Sequence, residues 1–223
     1  MFDFTTVLQQ WPLLLSGALL TLLLTLASTF FGLLLGVACG WARAKGGAWL
    51  NFLVGCYVEI FRNTPYIVQL FFIFFGLPAL GVQLSAVTAS VLSLILNLGA
   101  YASEIIRAGI VTTPRSQIEA AQSLALNRWQ VFTRVVLPPS LSRVWPSLIS
   151  QVIIIMLGSA VCSQISTQEL SYSANLIASR SFRNFESYLV AAAIYLGLAV
   201  AVRLTLNWLG PKFIFGRILG TQR

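Results

Sequence analysis

Two Glu-x-x-Arg pairs, Glu59/Arg62 and Glu104/Arg107, bring opposite charges together at helical spacing in this sequence. Residues three apart share a helix face, so each pair can neutralise itself. Both lie in or beside long apolar runs, where an ionisable group is costly and is a functional candidate by default. Asn63, Thr64 and Pro65 follow the first pair, and Gln69 lies one turn beyond. Proline has no N–H and interrupts a helix, which frees carbonyl groups. Asn97 and Tyr101, four residues apart, add a second polar stripe. Such groups can hydrogen-bond a polar solute at a broken helix. They can equally tie one helix to another, and the charge pairs can simply be internal salt bridges.

Catalysis is not expected. The chain has no His, and no motif places a nucleophile beside a base. Cys39, Cys56 and Cys162 are odd in number, widely spaced and set in apolar stretches, so they form neither a disulfide framework nor a zinc site. They read as small hydrophobes packed between helices. No G-x-x-x-x-G-K-[ST] loop is present, so any ATP chemistry must belong to another polypeptide.

The elements that hold these residues follow from composition. Of 223 residues 57% are hydrophobic and 9% charged, far below the charge that a water-soluble surface needs. The bilayer is the natural solvent, and an all-α polytopic membrane fold is expected. Five spans are read, at residues 11–42, 48–80, 84–106, 144–165 and 188–209, within one transmembrane domain. The 14 Lys+Arg residues punctuate the apolar runs and do not form a basic face, which excludes nucleic acid as a partner. Arg43 and Lys45 follow span 1. Arg115, Arg128, Arg134 and Arg143 lie between spans 3 and 4, and Lys212, Arg217 and Arg223 follow span 5. The positive-inside rule then puts the N-terminus outside and the C-terminus in the cytoplasm. Arg180 and Arg183 fall on an outer connection, where Glu169 and Glu186 balance them. Five spans enclose little by themselves, and Gly17, Ala18, Ser28, Gly32 and Gly36 permit close helix contact, so partner subunits are implied.

The longest polar, helix-prone stretch, residues 114–137, faces the cytoplasm on this reading. Ser116-Gln-Ile-Glu119 fits a capping box, and Pro114 stops the preceding helix. A short helix is expected over 117–126 with Ile118, Ala121 and Ala125 on one face. A second, over 128–136, is capped by Asn127 with Gln130, carries Trp129, Phe132 and Val136 on one side, and ends at Leu137-Pro138-Pro139. Two capped helices with a tight elbow form a knuckle.

"EAAQSLALNRWQVFTRVVLP" resembles the E-A-A-x-x-x-G-x9-I-x-L-P signature of permease subunits in binding-protein-dependent ABC importers. Glu119, Ala120, Ala121, Leu137 and Pro138 fall in register, with Val135 where the pattern prefers Ile. "FRNTPYIVQLFFIFFGLP", "YASEIIRAGI" and "IASRSFRNFESY" are similar to the polar amino-acid uptake branch, so the likeness extends over nearly the whole chain. The resemblance implies that the knuckle is a coupling helix seated on a separate ATPase, with Glu119, Ala120, Ala121, Ala125, Asn127 and Arg128 as its coupling residues. Two ATPase copies would carry ATP and Mg, with no cofactor in this chain. An extracytoplasmic solute-binding protein would deliver the amino acid, and a second permease subunit would complete the pathway in a bacterial inner membrane. Glu169 and the "ASRSFRNFE" run would meet the binding protein. Two departures stand out. The family's Gly is Ala125 here: either that position takes a positive φ, where Ala costs about 1 kcal/mol more than Gly, or the elbow is borne by Asn127, which tolerates left-handed geometry better and is the favoured reading. In the family, span 4 carries a polar "DTS-like" stretch linked to solute contact. Here it reads "MLGSAVCSQIS", with Gly158 for the Asp and Ser159 retained: either the site is degenerate and a non-identical partner permease binds the solute, which is the favoured reading, or the substrate is handled differently. The expected solute pathway comprises Glu59, Arg62, Asn63, Thr64, Gln69, Asn97, Tyr101 and Ser159. An ion-coupled carrier working alone is the competing reading, but the internal repeats usual for one are not detected.

Overall fold

The computed structural model describes residues 4–215, and all regular structure among them is helical. Helix α1 (Thr5–Gln9) leads into α2 (Trp11–Lys45), whose 35 residues extend roughly 52 Å at 1.5 Å per residue. That exceeds the roughly 30 Å hydrocarbon core of a bilayer. The next apolar run is not a rod. It forms α3 (Ala48–Arg62), then a break, then α4 (Tyr66–Phe71), a π turn at Phe72–Gly76 and the single turn α5 (Leu77–Ala79). The two arms meet at 110°. Helix α6 (Ala86–Val111) starts at Ser85, whose hydroxyl accepts from the Thr88 N–H at 3.1 Å.

The knuckle follows as α7 (Arg115–Ser123) and α8 (Arg128–Gln130). A π turn at Val131–Val136 then passes into α9 (Leu137–Gly158) and a 3-10 stretch at Ser159–Ile165. Leu137-Pro138-Pro139 therefore does not end a short second helix, as the sequence led us to expect. The prolines sit in the first turn of α9, where a missing N–H is tolerated, and the π turn before them absorbs the change in the ladder. Arg128–Ile165 is one 38-residue apolar stretch. Helix α10 (Leu170–Ser181) fills the outer connection, and α11 (Asn184–Leu209) ends the bundle with a π turn at Gly210–Phe215. Four stretches are long and apolar enough to cross a membrane, and the bent pair raises the number to five. Arg217 and Arg223 lie outside the described residues.

Helices α2 and α6 run side by side in the same direction. A Cβ on Gly32 would strike Leu98, one on Gly36 would strike Ala102, and one on Gly40 would strike the Ser103 carbonyl and Ile106. Backbones this close need residues without side chains, which explains the glycine spacing in span 1. Apolar clusters pack at three levels. Leu24, Leu70, Leu94, Leu98 and Ile155 lie near the break; Ile106, Phe132, Val136 and Leu148 lie at the knuckle; Val7, Leu14, Leu170 and Ile177 lie at the opposite end. Helices α3 and α11 instead expose Trp49, Phe52, Leu196 and Leu204, as surfaces solvated by lipid or covered by a partner do. Cys39 and Cys162 are buried as expected, whereas Cys56 is exposed on α3.

Candidate functional site

The knuckle is fixed by local chemistry, though not all of it as expected. Pro114, at φ −59° and ψ 137°, takes the N-cap position, so α7 starts at Arg115 and encloses Ser116 in its first turn. No side chain caps that end, and the Ser116–Glu119 box is not formed. Ala121 is buried against the α9 side, while Glu119, Ala120, Gln122 and Ser123 are exposed. The helix closes with Ala125 N–H to the Gln122 carbonyl at 2.9 Å and Leu126 N–H to the Ala121 carbonyl at 3.4 Å. This closure requires a left-handed residue, and Ala125 supplies it at φ 56°. The elbow is therefore at Ala125 and not at Asn127, because the turn falls where α7 runs out of partners. Asn127 is extended (φ −72°, ψ 164°) and caps α8 reciprocally: its Oδ1 accepts from Gln130 N–H and its N–H donates to Gln130 Oε1, both at 2.9 Å. Phe132 and Val136 are buried, but Leu124 and Trp129 are 76% and 65% exposed at the tip. Arg128 is exposed beside them.

The break closes on itself. Pro65 has no N–H, so the Phe61 carbonyl four residues earlier loses its helical partner. Gln69 replaces it: Nε2 donates to Phe61 O at 2.8 Å, to Thr64 O at 3.0 Å and to Thr64 Oγ1 at 2.9 Å. Asn97 Nδ2 donates to Gln69 Oε1 at 2.9 Å, and both side chains are buried. Tyr101 reaches the Arg62 carbonyl at 3.4 Å, and Thr64 Oγ1 donates to Ile60 O at 2.8 Å. Gln69 and Tyr101 thus satisfy carbonyls at the break and Asn97 holds Gln69, while Glu59, Arg62, Asn63 and Thr64 are exposed. The expected Glu59/Arg62 pair is absent. Asn63 Nδ2 holds Glu59 Oε2 at 2.8 Å, and Arg62 lies over the Tyr101 ring, 5.7 Å from its centroid.

A broken span joined to a capped knuckle has close counterparts among known proteins. Residues 29–215 match the family described as the inner membrane component of binding-protein-dependent transport systems. The chain belongs to this family. It is 32% identical over 208 residues to the glutamine transport system permease protein GlnP of Escherichia coli K12, covering 92% of this chain and 95% of that one. It is 31% identical over 212 residues to a probable amino-acid ABC transporter permease, YckA of Bacillus subtilis 168, covering 95% and 94%. A solved structure described as an amino acid ABC transporter with histidines superposes with a TM-score of 0.84 at 32% identity, over 96% of this chain and all of that one. The inward-facing methionine transporter MetNI shares the fold, with a TM-score of 0.75 at 20% identity over 88% and 94% of the two chains. The protein is a multi-pass inner-membrane permease.

Elsewhere in this permease, carboxylates act as hubs. Glu104 pairs with Arg107 as its spacing predicted, through Nε at 3.1 Å and Nη2 at 3.1 Å. It also binds Arg43 of span 1 and lies 4.0 Å from Arg62. One acid thus links the ends of α2, α3 and α6, a convergence that no linear spacing reveals. Glu169 departs further from expectation, being fully buried and closed to any soluble partner. It caps α10 by accepting Tyr172 N–H at 2.8 Å, accepts the Tyr195 hydroxyl of α11, and lies 3.5 Å from Thr21 Oγ1 of α2. Arg183 pairs with Glu186 at 3.7 Å. Ser159 is buried and donates to its own helix at Met156 O, 2.6 Å away. The sequence reading missed Tyr66, whose hydroxyl meets Ser93 Oγ at 2.9 Å and Cys162 Sγ at 3.2 Å, tying the break to the end of span 4. A tyrosine directly after the proline was the available signal.

Proposed function

We propose that this permease forms half of the pathway through which an amino acid is imported, and that the knuckle couples it to a separate ATPase. The observation that carries this reading is the knuckle itself: a slim exposed helix bearing Glu119 and Ala120, locked by a left-handed turn and a reciprocal cap, and continuous with span 4. A segment stiffened by its own hydrogen bonds can pass on a push with little loss. In the complete transporter two ATPase copies hold ATP and Mg, and an extracytoplasmic binding protein delivers the solute. The amino-acid permeases of similar sequence support that solute class. The basic residues clustered at the knuckle end support a cytoplasmic C-terminus and an N-terminus outside.

Solute contact falls to the exposed side chains at the break, Asn63 and Thr64 with Glu59 and Arg62, whereas Gln69 and Asn97 are buried in holding it. Gly158 faces open space with no atom within 4 Å of where a Cβ would sit, and Ser159 is turned away. Both features favour a non-identical permease as the partner that binds solute more fully. The test is Glu119→Lys in the assembled transporter. Uptake should be abolished and ATPase association weakened, with membrane insertion intact. Normal uptake by that variant would overturn the coupling role. Substituting Asn63 or Thr64 should change the stimulation of ATP hydrolysis by solute, and unchanged stimulation would move the solute site elsewhere.

A further inference from the structure

Span 5 carries a cation that no described residue of the chain neutralises. Arg203 makes no ion pair or hydrogen bond among the described residues and is exposed on α11. It lies before Trp208 and Lys212, whose Nζ sits 4.4 Å from the Trp208 ring centroid. A tryptophan and a lysine at the end of a span mark the headgroup level. Arg203 therefore lies roughly 8 Å deeper than Trp208, at 1.5 Å per residue, within reach of the headgroup level for a long side chain extended towards it, and Asn207 is level with Trp208. Leu196, Val200 and Leu204, on the same helix, are 67%, 49% and 64% exposed, so the surroundings are acyl chains. A bare guanidinium there is costly and calls for an anion.

The structure provides a place for one. Arg203 and Asn207, one turn apart, line a cleft of about 210 Å³ between α9 and α11 with Pro146, Ile149, Ser150 and Ile153. Below it Trp145 Nε1 donates to the Leu206 carbonyl at 3.1 Å, which clamps the two helices together. Ser150 donates to Pro146 O at 3.1 Å, so the free donors in the cleft are the guanidinium and the Asn207 amide. No acid lines it. We propose that Arg203 and Asn207 bind the phosphate of an acidic phospholipid in the cleft between spans 4 and 5. A guanidinium fork beside an amide donor suits phosphate oxygens. With no carboxylate nearby to hold an ammonium, a zwitterionic headgroup gains less than an acidic one. A second copy of this chain has little to offer instead, because Glu59 and Glu104, the acids of its spans, are already engaged. The site depends on membrane placement and not on coupling, so its failure would leave the transport reading intact.

The test is native mass spectrometry of the assembled transporter, equilibrated with phosphatidylglycerol and phosphatidylcholine at equal concentration. The wild type should retain phosphatidylglycerol over phosphatidylcholine by about fivefold, the factor given by about 1 kcal/mol per arginine near an acidic headgroup. R203Q should lose that preference and one bound phosphatidylglycerol per permease copy, whereas L196A on the same helix should keep both. If R203Q does not assemble, the wild-type preference and the loss of it in N207L decide the matter. Equal retention of the two lipids by the wild type would overturn the proposal. So would unchanged retention in R203Q, or loss of permease pairing in R203Q with lipid retention intact, which would assign Arg203 to a carboxylate on a partner subunit.

Discussion

Replacing Gln69 isolates what holds the broken span in shape. Its amide donates to two carbonyls that Pro65 and the end of α3 leave without helical partners, and it accepts from Asn97. In Gln69→Glu the volume is unchanged, but a carboxylate faces Phe61 O, Thr64 O and Thr64 Oγ1, where only acceptors or a hydroxyl wait. Leaving a buried polar group without a partner costs about 1–3 kcal/mol. Thr64 is exposed, so its carbonyl can recover a bond from water. The Asn97 amide still finds an acceptor in the carboxylate, but Phe61 O loses its donor and the buried carboxylate faces it without a partner, which gives about 2–5 kcal/mol for the substitution. At about 2–4 °C per kcal/mol for a chain of this length, the melting midpoint of the purified transporter should fall by roughly 4–20 °C. Pro65→Ala supplies a backbone N–H that can bond Phe61 O, so the double variant Pro65→Ala/Gln69→Leu should melt above Gln69→Leu alone and yet transport poorly, because the break is gone. Thermal melts of the four proteins with uptake in proteoliposomes make the cycle. A Gln69→Glu protein that melts and transports like the wild type would refute the account of the break.

Ala125→Gly removes the strain of a left-handed alanine, so it should stabilise the transporter by about 1–2 kcal/mol, read as a higher melting midpoint with uptake retained. Gly17→Ala would drive a Cβ to 2.9 Å from Leu170 Cα and 3.0 Å from the Glu169 carbonyl; it should cost about 1–3 kcal/mol, whereas Gly55→Ala, in open space on α3, should stabilise slightly. Burial pushes the Glu169 carboxyl above its ordinary range, opposed by its bonds from Tyr195, the backbone of Ser171 and Tyr172, and Thr21. A raised pKa means that the folded state holds its proton longer, so this stabilisation is full below the unfolded carboxylate value and is lost as pH rises through the folded one. Melting points should therefore fall with rising pH across that window, and Glu169→Gln should flatten the slope.

What could be read from the sequence was local or compositional. Apolar runs exposed the spans, Pro65 exposed the break, and Asn127 with Gln130 exposed a cap, because each signal acts within a few residues of its effect. The Ser116 cap failed for an equally local reason: Pro114 set the entry to α7 two residues early. The elbow was misplaced because an L-residue at positive φ is disfavoured in isolation, yet α7 had to close at Ala125. The hubs at Glu104 and Glu169 were out of reach, since their partners come from helices distant in sequence. Arg62 illustrates the difficulty. Spacing offered it Glu59, but the 110° turn at the break carried it towards Tyr101 and Glu104 while Asn63 took Glu59.

The two candidate sites are not mechanically separate. The stretch Arg128–Ile165 carries the knuckle at one end and Cys162 near the other. Cys162 meets Tyr66, the first residue of α4, and α4 carries Gln69, the clamp on the break. If that stretch moves as a rod, a displacement at Arg128 must be met at Tyr66. Bending along the way can be absorbed at the π turn of Val131–Val136 and at Pro146, where the hydrogen-bond ladder is altered or lacks a donor. Both lie in the half nearer the knuckle, and Ile149–Ile155 beyond them packs against the core as ordinary helix. Cys162 itself lies beyond them in the 3-10 stretch Ser159–Ile165, whose ladder is also altered, so compliance sits at both ends of this ordinary helix. A push can therefore be turned in direction at either end of that helix before it reaches Tyr66 and the residues that hold the break closed.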